Sequence, residues 1–130
     1  MKRPLTKELL HIRDRLDAEK DEYLWMLFSL ELYQPEKEVR NGILEAYSSR
    51  EWPWQQSDGC TAVSEVHFPA GLRFPPCVYH DFLYWKVRNN RCSRWYADSQ
   101  FYKANRAYGM SRARASVRWL GVRVGGVFTT

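Results

Sequence analysis

The run Pro75-Pro76-Cys77-Val78-Tyr79-His80-Asp81-Phe82-Leu83-Tyr84, the polar break Asn89-Asn90-Arg91, and the return through Ser93 and Ala97-Asp98 decide the fold of this chain. The proline pair stops the preceding segment and opens a helix, because the first helical turn needs no proline N–H. That helix is expected to run from residue 76 to about 88. Ser93 is a side-chain cap for a second helix, and Gly109 is suited to the left-handed residue that closes it near Tyr108. So short a connection between two helices forces them antiparallel. His80 and Tyr84 stand four apart and share a face, while Asp81 points about a quarter turn away. The return then carries Asp98 back to their level. The stretch therefore reads as a helical hairpin bearing a His–Asp dyad.

Upstream, residues 6–33 read as one long helix capped by Thr6. Leu9, Ile12, Leu16, Tyr23, Met26, Leu27 and Leu30 recur at three- and four-residue steps. The run Leu24-Trp25-Met26-Leu27-Phe28 is apolar all round and is expected to be buried. Pro35 opens a second helix whose apolar face is Val39, Ile43, Leu44 and Tyr47. Residues 50–76 hold turn chemistry at Trp52-Pro53-Trp54, Ser57-Asp58-Gly59 and Pro69-Ala70-Gly71, with a short strand expected within 61–68. Downstream, Ser111 caps a last helix that Gly125-Gly126 should end. The expected fold is mostly α: the His–Asp hairpin, an N-terminal helical pair, and a short irregular or β segment between them. It forms one domain over residues 1–130. Residues 1–50 are an N-terminal helical addition, 51–76 an irregular linker segment, and 77–130 the hairpin with its C-terminal basic helix.

Charge is unevenly spread. Residues 1–51 hold eleven acids and nine bases, whereas residues 73–123 hold eleven bases against Asp81 and Asp98 alone. A basic half suits an anionic partner. The chain has six Trp and eight Tyr, which implies an aromatic core or rings offered to a partner. No apolar run approaches a membrane span, and the first residues lack the apolar stretch of a secretory signal. Cys60, Cys77 and Cys92 have no zinc-site spacing, and three reduced thiols are expected.

The hairpin gathers groups that suit hydrolysis. An imidazole acts as a general base once a carboxylate fixes its tautomer. His80 would take a proton from water and Asp98 would orient the ring. Asp81 is the candidate ligand for a calcium ion that polarises a carbonyl. Tyr84 is a candidate acid, or alternatively a packing residue with its hydroxyl on Asp98. The same His–Asp pair also reads as a core hydrogen bond that fixes helix register. His11 lies on a charged helix and is expected to face solvent, and His67, next to a turn, has no evident partner.

Cys77-x-x-His80-Asp81-x-x-Tyr84, followed by an aspartate on an antiparallel helix, resembles the phospholipase A2 active-site pattern. His80-Asp81-Phe82-Leu83-Tyr84 with Ala97-Asp98 is similar to the parvovirus capsid phospholipase domain. Residues 66–124 are also similar to a family of small phage and prophage proteins with a His-Asp-x-Leu-Tyr and Ala-Asp-x-x-Phe pattern. These resemblances imply a phage-associated ester hydrolase using His80 and Asp98, possible calcium at Asp81, and a place in host cytoplasm or virion. The chain departs from phospholipases upstream of the histidine. Asp58-Gly59 and Ala70-Gly71 stand where those enzymes carry a glycine-rich calcium loop, and Leu83 replaces their second cysteine. A catalytically degenerate relative fits the same pattern.

The last helix, Arg112-Ala113-Arg114-Ala115-Ser116-Val117-Arg118-Trp119-Leu120-Gly121-Val122-Arg123, mixes arginine with tryptophan. One expectation is a solvated basic face with Val117 and Trp119 tucked into the core. The other is contact with a phosphate-rich surface. The partners implied are an anionic phospholipid or an acidic protein, including virion components, with nucleic acid a weaker choice because no helix-turn-helix accompanies the arginines. Two alternatives to the hydrolase follow: a non-catalytic virion structural or host-factor-binding protein, and a nucleic-acid-binding accessory protein.

Overall fold

The computed structural model describes residues 21–58 and 72–129. The helix expected over residues 6–20, the strand expected within 61–68, Cys60 and His67 fall outside them. Among the described residues there are five α-helices, one 3-10 turn at Trp54–Gln56, and no strand. The helices are α1 (Glu22–Tyr33), α2 (Lys37–Ser48), α3 (Pro75–Arg88), α4 (Arg94–Ala107) and α5 (Arg112–Thr129). None is long and apolar enough to cross a membrane.

The local signals explain most boundaries. Ser93 accepts from the Tyr96 N–H at 3.0 Å and starts α4, and Gly109 follows that helix at φ 92°. Between α3 and α4 the chain reverses through Asn90 at φ 58°, a conformation asparagine tolerates better than most residues. The start of α1 corrects the sequence reading. Asp21 is extended (φ −88°, ψ 107°) and its carboxylate accepts from the Leu24 N–H at 3.1 Å. An extended cap cannot lie inside a helix, so no single helix runs from residue 6 to 33. A second correction concerns the C-terminus: α5 continues past Gly125-Gly126 to Thr129. Glycine costs a helix about 1 kcal/mol relative to alanine without breaking it.

α3 and α4 form the hairpin, α5 packs along α4, and α2 lies across both hairpin helices. A polar relay that runs from the buried Tyr79 to the exposed Glu38 joins these three. The Tyr79 hydroxyl donates to Gln100 Oε1 at 2.8 Å, and Gln100 Nε2 donates to Glu38 Oε1 at 3.0 Å. α2 approaches α3 closely at Gly42, where a Cβ would overlap the Tyr79 ring. α1 is held by Tyr108, whose ring stacks on Tyr33 at 4.8 Å and whose hydroxyl meets Ser29 at 2.5 Å. Trp25, Met26 and Phe28 are buried as expected, but Leu24 and Leu27 on the same helix are exposed. A 3.6-residue period turns part of any continuous apolar run outward.

The cysteine reading is overturned. Cys77 is disulfide-bonded. Cys92 is a free thiol, so the partner of Cys77 lies outside the described residues. The last helix also differs from its expected pose. Val117 faces outward, while Arg118 Nη1 reaches Cys77 Sγ at 3.7 Å and Arg123 turns in toward the hairpin.

Candidate functional site

Asp98 has no exposed surface, and three side chains answer its charge. His80 Nε2 lies 2.8 Å from Oδ1, and the Tyr84 hydroxyl donates to the same oxygen at 2.8 Å. Arg123 Nη1 donates to Oδ2 at 2.9 Å. The hairpin thus brings together the three residues that its spacing predicts. Burial pushes the Asp98 carboxyl up, but the hydrogen bonds from His80, Tyr84 and Arg123 outweigh it and hold the group below the usual carboxylate range. An ionised carboxylate has no proton to give. The proton of the His80–Asp98 contact therefore sits on Nε2, and a neutral imidazole then carries its lone pair on Nδ1.

The ring is fixed by packing as well as by charge. Phe101 stacks on His80 at 4.4 Å between centroids, and Tyr84 covers it at 4.5 Å. Burial is the main reason the Tyr84 phenol is pushed up to about 12, with the hydrogen bond to Asp98 adding to it. Its proton is therefore held at neutral pH and committed to Asp98. In this geometry Tyr84 orients the carboxylate.

His80 is 12% exposed and opens onto a pocket of about 460 Å³ that Asp81, Tyr84, Trp52, Ser57 and Asp58 also line. The Ser57 hydroxyl donates to Asp81 Oδ2 at 2.6 Å. Arg73 fixes this wall. Its guanidinium lies over Trp54, donates to the Ser57 and Gln55 carbonyls at 2.7 and 3.1 Å, and pairs with Glu22 at 2.7 Å. Asp81, Asp58 and the Ser57 hydroxyl are hard oxygen donors, the type that calcium takes. Among the described residues no three His, Cys, Asp or Glu side chains converge on one point.

Three contributors were not visible in the sequence. Arg123 lies 25 residues beyond Asp98 and is one of eleven bases in its half of the chain, so nothing marks it out. Ser57 reads as turn chemistry. Arg73 reads as one more charge.

A family model described as "Protein of unknown function (DUF1353)" matches residues 62–122. The chain is similar to that family over this stretch, which contains His80, Asp81, Tyr84 and Asp98 and stops one residue before Arg123. No curated protein and no solved structure matches the chain.

Proposed function

We propose that the protein is a phage-associated, phospholipase A2-like ester hydrolase with His80 as its general base. One observation carries the reading: His80 Nε2 sits on a fully buried carboxylate at 2.8 Å while the same ring lines the pocket. Nδ1 is then the nitrogen left for a water. That water would attack the ester carbonyl as Nδ1 takes its proton, and Asp98 would stabilise the imidazolium. Collapse of the tetrahedral intermediate breaks the bond to the alkoxy oxygen, and His80 returns the proton to that leaving group. Calcium, when bound, supplies positive charge to the carbonyl oxygen; Asp81 would hold it, with Asp58 on the same wall. The Cys77-x-x-His80-Asp81-x-x-Tyr84 spacing supports this reading, and the bonded state of Cys77 agrees with the secreted phospholipase pattern.

The test is hydrolysis of mixed anionic phospholipids with and without millimolar calcium, comparing the wild type with His80→Gln. Wild-type turnover lost in the variant, with circular dichroism unchanged, is the expected result. No wild-type turnover under either condition, or equal turnover in the variant, would sink the proposal.

A second reading is favoured by the completeness of the Asp98 contacts. Donors from α3 and α5 meet on one residue of α4, so the dyad can serve as a pin that sets helix register in a non-catalytic virion or host-interaction protein. Under that reading His80→Gln changes stability and leaves partner binding intact.

A further inference from the structure

From Val117 onward, α5 turns two of its arginines inward and three of its aliphatic side chains outward. Arg118 and Arg123 turn toward the hairpin. Val117, Leu120 and Val124 point out, with 71%, 57% and 55% of their surfaces exposed. The steps between them keep these three on one face. Among the described residues, a Cβ at Gly121 in the same stretch would meet nothing within 4 Å beyond its own helix backbone and chain neighbours. Beside the stripe, Trp95 of α4 is 60% exposed and meets Trp119 edge-on at 5.9 Å. The two rings border an apolar cleft of about 300 Å³. A solvated helix would turn the arginines out and the valines in, so this face is built to be covered.

Charge narrows what covers it. Residues 94–129 hold seven bases and one acid, Asp98, and Asp98 is buried and paired. Arg112 and Arg114 are exposed at the N-terminal end of the helix. The occupant must therefore accept aliphatic and indole groups at the centre and present negative charge around them. A nucleic-acid duplex supplies phosphate but nothing to cover three aliphatic side chains. A second copy would set one basic surface against another.

We propose that the outer face of α5, with Trp95, is a docking surface for an anionic phospholipid bilayer. Val117, Leu120 and Val124 enter the boundary between headgroups and acyl chains, Trp95 sits at the headgroup level, and Arg112 meets the phosphates. This deepens the reading above, on which it rests only for a phospholipid as the substrate to be met there.

The test uses vesicles of ether-linked phosphatidylcholine, alone or with ether-linked phosphatidylglycerol, which cannot be hydrolysed at the acyl positions. The wild type and His80→Gln are expected to float with the anionic vesicles and not with the neutral ones. Leu120→Glu is expected to weaken that binding at least about tenfold at an unchanged melting temperature. Absence of wild-type binding, or equal binding by Leu120→Glu, overturns the proposal. So does a wild-type dimer that Leu120→Glu turns into a monomer without vesicle binding, or a preference for duplex DNA indifferent to that substitution. Hydrolysis of a short-chain phospholipid below its micellar concentration separates the two proposals. Vesicle binding without that hydrolysis removes the enzyme alone, and hydrolysis without vesicle binding removes the docking surface alone.

Discussion

A carboxylate buried as deeply as Asp98 is stable only if its lone pairs are taken, and here His80, Tyr84 and Arg123 take them. Hydrogen bonds to charged groups contribute about 1.5–3 kcal/mol each. Asp98→Asn is therefore expected to lower stability by about 1.5–3 kcal/mol at neutral pH, read from urea midpoints. The pH dependence has a definite sign. Asp98 is held below the ordinary carboxylate value, so the unfolded chain binds its proton more readily than the folded one. Its contribution is present in full above the unfolded value, near 3.9, and is lost as pH falls through the lower folded value. The gap between wild type and Asp98→Asn should thus shrink below about pH 4, and a gap that widens on acidification would contradict this assignment. At this scale the sequence was informative where spacing decides the outcome. A four-residue step from His80 to Tyr84, and a short reversal before Asp98, leave the three little choice but to meet. It was silent on Arg123, because contact with a distant helix depends on packing that no local pattern encodes.

Among the elements, caps and breakers were read correctly where one side chain controls one backbone. Ser93 and Gly109 bound α4 as their chemistry requires. Asp21 escaped notice because the apolar steps continue on both sides of it, and periodicity ignores a capping side chain placed between them. The face of α5 was misjudged because its arginines and its aliphatic residues recur at similar steps. Either set fits a helical stripe, and only the buried anion at Asp98 determines which one turns inward. Where α2 crosses α3 the contact is tight enough to test. The Tyr79 ring that a Cβ at Gly42 would strike is itself buried and hydrogen-bonded to Gln100. Gly42→Ala should raise helix propensity yet destabilise the protein by about 1–3 kcal/mol through overpacking. Thermal unfolding of Gly42→Ala and Gly42→Ala/Tyr79→Phe would show whether the hydroxyl or the ring is the obstacle.

At the scale of the whole molecule, the mostly helical architecture followed from helix signals repeated along the chain. The state of Cys77 did not. Three cysteines at non-zinc spacing look like reduced thiols until the chain is folded, and Cys77 is in fact disulfide-bonded. Disulfides persist in oxidising surroundings and open in a reducing cytosol. Cys77 sits one helical turn before His80, so the bond is anchored on the helix that carries the candidate base. Removing a native disulfide from a small domain costs about 2–5 kcal/mol. Dithiothreitol is expected to lower the melting temperature of the wild type and to leave Cys77→Ser unchanged, a comparison made by differential scanning calorimetry.

The arginine that reaches Asp98 has one further consequence. Arg123 belongs to the helix that also exposes Val117, Leu120 and Val124, so one element carries that aliphatic stripe and reaches the fully buried anion. A protease that clipped the chain after Met110 would leave His80, Tyr84 and Asp98 in place and the hairpin connected. It would also strip from the Asp98 carboxylate the guanidinium that donates to its Oδ2. The loss of a surface segment would then register inside the hairpin, where a carboxylate met by three donors would keep only those from His80 and Tyr84.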